Sequence, residues 1–353
     1  MLTLRRGNVV SLDPLVVEVG GEPRAAWSDA GLVGEIEVGD EVVVNTKARD
    51  LGLGSGGFDV VHVNLSRGLF GTEAEGVHVM KFNYTSLQHA VEPVEIEHGE
   101  PELGPKPPAL VISLHGHLAP VAWAAERAAP GLKLGFVQGA GAALPGGLSR
   151  DLAELREREL ICGHITAGSA YGGEHEAITM IGGLDAAARR LGWDAVVAGP
   201  GPGILGSATR FGHGGMAALD AAHAALALGL PTLVCPRLSS SDERARHRGL
   251  SHHSASVLEL LLAPVRVPVP EAEIEGWPLL ADGAPEGGSP QAALEELIEI
   301  CTGRHDLAVQ PIDLAGYSGS GLPTTTMGRS IEQDPLFFAA PLAAGRALAE
   351  AVA

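Results

Sequence analysis

Residues 246–254 read RHRGLSHHS. Three histidines and two arginines in nine positions join the side chain that titrates near neutrality to the one best shaped for binding oxyanions. They do so in a chain of formal net charge −19. Ser251 is the expected N-cap of a helix, which sets His252 and His253 in its first turn. There the positive end of the helix dipole disfavours imidazolium. Neutral imidazoles beside free backbone N–H groups suit an anion, a metal or proton transfer. The plainer reading is that they cap the helix or touch another subunit.

Other segments carry residues of the same kinds. His115 and His117, in HGHLAP, are two apart and on an extended strand end would point the same way. With His213 they form the expected metal set, which His164, His252, His253 or Asp242 could complete. A divalent metal such as zinc is the candidate cofactor, because borderline ions favour such ligands. No HExxH or CxxC motif supports it. GPGILG, residues 201–206, matches G-x-G-x-x-G but carries an internal proline and stands far from its helix, so a simple glycine-rich turn is preferred. Gly201, Gly203, Thr209, Arg210, Arg237, Ser239, Arg246 and Arg248 are the expected ligand-binding set, for an anion. His164, His252 and His253 with Tyr171 are the acid–base candidates. Ser169 lacks a nucleophile elbow, and Cys162 falls within an apolar, strand-like run where a thiol is expected to be buried and inert. The tail segment GLPTTTMGRSIEQDP, with Arg329, could reach over these groups as a lid.

Elements must bring such scattered residues together. From residue 109 to 270, apolar runs alternate with helix-like segments about five times and end on a strand: ALVISLHG, LKLGFVQ, ELICGH, WDAVVAG, PTLVCPR and VRVPVP. That alternation predicts a doubly wound, mostly parallel, Rossmann-like sheet with right-handed crossovers. Ligands then bind outside the carboxyl ends of the strands. The segments after the strands hold the His, Arg, Ser and Gly named above, whereas the opposite connections, APG, LGW and GLP, are short and plain.

The first 96 residues alternate with period two between glycine turns, as in LVVEVGGEPRAAW and GEIEVGDEVVVNT, and predict a small antiparallel barrel or sandwich. A Pro/Gly-rich stretch at 97–108 reads as a linker. Residues 271–353 read as a helical and loop extension packing on the α/β domain or on a partner subunit.

Composition narrows the class. The chain has 353 residues, 45% of them hydrophobic, enough for two domains. Its acidity argues against nonspecific nucleic-acid binding. No run of about 18 apolar residues predicts a membrane span, and no apolar leader segment is evident. Three widely spaced cysteines fit a reducing, cytoplasmic setting rather than a disulfide framework. Exposed barrel edges and the apolar tail segment PLFFAAPLAAG suggest a homo-oligomer.

Five stretches, HVMKFNYTSLQHAVEP, ICGHITAGSAYGGEHEAIT, GPGILGSATRFGHGG, RHRGLSHHS and TTTMGRSIEQDPLFFAA, together resemble a bacterial family known as domain of unknown function 3866. The resemblance spans nearly the whole chain but implies no catalytic residues. The functional expectation therefore comes from the residues themselves: an enzyme acting on a small anionic molecule at the carboxyl rim, preferably a hydrolase, with metal assistance as one option. The alternative is a non-catalytic ligand-binding or homo-oligomeric assembly protein whose histidine-rich rim lies in a subunit interface.

Overall fold

Period-two burial closes the first unit. Strands β1 (Leu4–Leu12), β2 (Leu15–Val19), β3 (Glu22–Trp27), β4 (Glu41–Asn45) and β5 (Asp59–Asn64) form a closed barrel in the order β1-β2-β3-β5-β4. Every pairing is antiparallel except β3 with β5. The computed structural model describes residues 1–53, 56–69, 77–96, 106–271 and 290–352. They divide into two compact units, Met1–Glu92 and Pro93–Ala353. Val9, Val17, Val42, Val44 and Val61 fill the barrel. Gly20 and Gly21, at φ of 62° and 84°, make the two-residue turn between β2 and β3 that only residues tolerant of positive φ allow. Of the two strands expected around Gly39-Asp40, only the second forms. The buried Asp40 carboxylate instead folds the preceding segment inward, accepting from the Glu37 backbone N–H, Asn64 and Arg67. The expected linker lies largely outside the described residues.

The second unit is built on eight parallel strands: β6 (Ala109–Val111), β7 (Leu134–Gly139), β8 (Gly163–Ala167), β9 (His175–Ala177), β10 (Ala195–Pro200), β11 (Thr232–Val234), β12 (Arg266–Pro270) and β13 (Asp306–Gln310). Their order is β9-β8-β7-β10-β6-β11-β12-β13. The helices are α1 (Leu118–Ala128), α2 (Arg150–Glu157), α3 (Met180–Arg189), α4 (Ala217–Ala227), α5 (His252–Leu260), α6 (Pro290–Cys301) and α7 (Pro335–Glu350). Alternate strand residues face opposite layers: Ala109, Val111, Val196 and Ala198 pack under α3 and α4, while Leu110, Ile112, Ala195 and Val197 pack under α1 and α7. Burial on both faces explains why these strands read as continuous apolar runs.

Three details differ from the expectation. The edge strands β9 and β13 widen the predicted six strands to eight. Short polar-flanked edges carry little apolar signal, and β9 lies inside what reads as a loop-to-helix segment. The third strand begins at Gly163, so Cys162 precedes it and is exposed rather than buried. Finally, the apolar tail helix α7 is covered by its own chain, with all but Arg346 and Glu350 buried. Gly345 lets it approach α1 so closely that a Cβ there would sit 2.2 Å from the Val121 carbonyl oxygen. Barrel closure and α7 burial thus satisfy within one chain the two features that suggested an oligomer. Among the described residues no helix is long and apolar enough to cross a membrane.

Candidate functional site

Adjacent strands β6 and β10 send their chains in opposite directions across the sheet, one through α1 to β7 and the other through α4 to β11. This reversal opens a crevice at the carboxyl ends of the two strands. A cleft of about 410 Å³ lies there. Its walls include His115 after β6, Gly203 after β10, and Arg237, Arg244, Arg246, His247 and His253 after β11. Thr326 and Met327 of the tail also line it, so the tail segment does reach the rim. Arg329 anchors that segment through Asp242 at 3.4 Å and Asp334 at 3.0 Å.

The opening nonapeptide folds as its residue types predict. Ser251 caps α5 by accepting from the His253 backbone N–H at 3.3 Å, and its hydroxyl also bonds His247 Nδ1 at 2.8 Å. His252 and His253 therefore stand in the first turn, and His213, just ahead of α4, packs against both. The His213 and His253 rings stack with centroids 3.6 Å apart, and His252 lies 5.1 Å from His213. His247 adds a fourth ring, 4.7 Å from His253. Its role was not foreseen, although it lies in the same nine residues.

Hydrogen bonding sets the chemistry of this group. His213 Nε2 donates to the Arg210 carbonyl oxygen at 2.9 Å, which leaves the Nδ1 lone pair free. His213 Nδ1, His252 Nε2 and His253 Nδ1 are buried without a hydrogen-bond partner among the described residues. One ligand atom from each of the three residues lies within 4.8 Å of the others, the one grouping of this kind among the described residues. Zinc–nitrogen distances of about 2.0–2.1 Å place ligand nitrogens roughly 3.3 Å apart, so the stacked His213 and His253 rings must turn to share an ion. Room exists because position 215 is glycine: a Cβ there would stand 3.1 Å from both His213 Nδ1 and His253 Nδ1. The donor set, three close imidazoles, is of the kind that suits a divalent ion.

Burial keeps the imidazoles neutral. It lowers the pKa of His253 to about 2 and that of His247 to about 3, with Arg237 pushing in the same direction. It also lowers those of His213 and His252. Arg237 itself is brought down to about 10 by burial, which the Asp242 charge opposes. Asp242 stays well below the usual carboxylate range despite burial, because Arg244 hydrogen-bonds it and Arg237 lies 3.1 Å away.

The other expected residues are placed differently. His115 and His117 do not share an ion-binding point. They occupy a tight 3-10 turn rather than a strand end, so their rings diverge. His115 bonds the Pro200 carbonyl at 3.1 Å and Ser149 Oγ at 2.5 Å, which engages both ring nitrogens. His117 is buried beside Cys235 Sγ, 3.5 Å away, and against Phe337. His164 stacks on Phe136 and bonds Gln138 at 3.2 Å. It lines a separate cavity of about 290 Å³ with Ser149, Arg156 and Glu174. Tyr171 sits near that cavity, paired through its backbone with Leu144 and Gly146.

Among the anion candidates, Arg237, Arg246 and Gly203 line the cleft, but several others do not. Arg210 pairs with Glu259 and lies over Phe211. Thr209 closes a hairpin tip with Ser207 at 2.7 Å. Ser239 Oγ donates to Asp334 at 2.7 Å, and Arg248 reaches the Glu243 carbonyl. Gly201 serves a close approach, since a Cβ there would lie 2.3 Å from the Ala143 carbonyl oxygen. The glycine run leads into a hairpin bridged at Gly206 and His213, not into a helix N-terminus. It therefore lacks the phosphate cradle of a dinucleotide fold.

No curated protein matches this chain. Among solved structures, the crystal structure of YjeQ from Thermotoga maritima is similar at 14% identity, covering 74% of this chain and 66% of that chain, just under two thirds of its length. With a TM-score of 0.15, that likeness carries no argument about fold or function. The chain belongs to the family described as a protein of unknown function, DUF3866, whose model matches residues 25–345.

Proposed function

We propose that this protein is a hydrolase acting on a small anionic molecule held in the cleft at the carboxyl rim, with a divalent ion such as zinc bound by His213, His252 and His253. One observation carries the reading: three imidazoles stand close together, each with a buried nitrogen that no other described residue satisfies, beside a cleft walled by arginines. Three protein ligands with one position left open is the pattern of catalytic zinc sites, and structural sites are closed by four. An ion held there would supply Lewis-acid polarisation of the scissile group.

The chain's own residues do the remaining work. Arg237, Arg244 and Arg246 attract and orient the anion. His247, on the cleft wall, is the imidazole placed to accept a proton from attacking water. The tail residues Thr326 and Met327 narrow the mouth and limit water. The Arg210 carbonyl holds the His213 ring in the tautomer that ligates.

Elemental analysis of protein purified without chelator tests this reading. One equivalent of zinc or a similar ion per chain is expected, falling below a tenth of an equivalent in the His213→Ala, His253→Ala double variant. Protein that takes up no stoichiometric ion after incubation with zinc and dialysis would overturn it.

A further inference from the structure

Arg237 is 2% exposed, yet its Nε has no hydrogen-bond partner among the described residues. A buried donor left unmade costs free energy, more when it belongs to a charged group. One terminal nitrogen of Arg237 meets Asp242 at 3.1 Å, so the guanidinium is held in place while Nε stays open. Arg237 lines the cleft, as do Arg244 and the exposed Arg246, which makes no ion pair among the described residues. Arg329 stands behind them on Asp242. These four guanidiniums face three carboxylates, Asp242, Asp334 and the cleft-lining Asp151. By these side chains the corner is locally cationic in a chain of net charge −19.

We infer that the group recognised here is a phosphoryl group, which makes a phosphate monoester the substrate class of the hydrolase proposed above, on whose reading this inference rests. A carboxylate offers two coplanar oxygens, enough for one guanidinium fork. The donors in the cleft come instead from separate positions: Arg237 from the segment just after β11, Arg244 from the loop beyond it, and Arg246 from the turn before α5. A tetrahedral anion with three free oxygens serves all of them at once. Its two negative charges also suit a corner with one guanidinium in excess and a place for a divalent ion.

Calorimetric titration with inorganic phosphate, on chelator-stripped and on zinc-loaded protein, tests the inference. Stripped wild-type protein is expected to bind phosphate, with a dissociation constant weakened at least tenfold in Arg246→Ala and unchanged in Arg346→Ala, whose side chain pairs with Glu350 far along α7. Arg246 is exposed, so its loss leaves the fold intact. Acetate at the same concentration is expected to bind at least tenfold more weakly than phosphate. Absence of phosphate binding to stripped protein, equal binding of acetate, or an Arg246→Ala variant that binds as wild type would each overturn the phosphoryl assignment. Zinc stoichiometry is read independently. Phosphate binding without zinc uptake would remove the metal and keep the clamp, and zinc uptake without phosphate binding would do the reverse.

Discussion

Two sets of histidines occupy the carboxyl rim, and they share almost everything except their hydrogen bonds. His115, His117 and His164 are buried, and burial lowers the pKa of each, as it does for His213, His247, His252 and His253. In the first set the rings serve the fold. His115 ties the β6 turn to α2 and β10, His164 is stacked and bonded within the sheet, and His117 fills a slot between Cys235 and Phe337. In the second set, three rings crowd together, each with a buried nitrogen that has no hydrogen-bond partner among the described residues. A depressed pKa therefore marks burial in both sets. What separates a structural imidazole from a candidate ligand is a lone pair with nowhere to go. The orphaned His117 Nε2 is the informative exception, because His117 belongs to no group of three ligand residues among the described residues.

That contrast can be broken at several points. The largest effect is expected at His253. His253→Ala should weaken zinc binding at least 100-fold, about 2.8 kcal/mol, while His115→Ala and His164→Ala retain their full complement of metal. Competition with a chromophoric chelator measures it, and equal loss in all three variants would erase the distinction. His117→Ala comes next. It should leave metal content unchanged but lower unfolding free energy by about 2–3 kcal/mol, from a cavity in the core beside an unpartnered Cys235. Urea denaturation reads that loss.

Acid should act through the structural set as well. His117 and His164 have folded pKa values of about 3, against about 6.5 in the unfolded chain. Between pH 6.5 and 3 the unfolded state binds the extra protons, so stability falls as pH falls through that window. Each residue contributes a slope of about 1.4 kcal/mol per pH unit. His117→Asn should remove one such slope in metal-free protein, and an unchanged pH profile would contradict neutral burial. Gly215→Ala, with its methyl 3.1 Å from two ligand nitrogens, is expected to weaken zinc about tenfold, about 1.4 kcal/mol, without a shift in the unfolding midpoint of the apoprotein. The smallest effect belongs to Thr209→Ala. Its exposed hairpin-tip position predicts less than about 0.5 kcal/mol in stability and no change in metal or phosphate binding.

Much of the fold was legible because it follows from local periodicity. Ser251 and Ser149 cap their helices as their residue types predict, and six of the eight strands read directly as apolar runs. Gly-Gly at 20–21 announced its turn. The site was legible in outline, because parallel strands deliver their following loops to one edge. Its membership was not. His115 and His117 satisfy the spacing of a shared ion only if the chain there is extended, and it turns instead. Arg210 and Ser239 have the residue types of anion ligands, but Glu259 and Asp334, 49 and 95 positions away, occupy them. His247 belongs to the central group through its bond to Ser251, a contact no period announces.

By itself, then, the sequence determined which elements form, how they alternate, and that polar chemistry collects on one rim, since propensity, capping and burial act over a few neighbouring residues. Which imidazoles meet, which arginines stay open and which glycine leaves room between two rings were decided only when β6, β10 and β11 came side by side. Those pairings join residues tens of positions apart, and their strength depends on distances and burial that exist only in the folded chain.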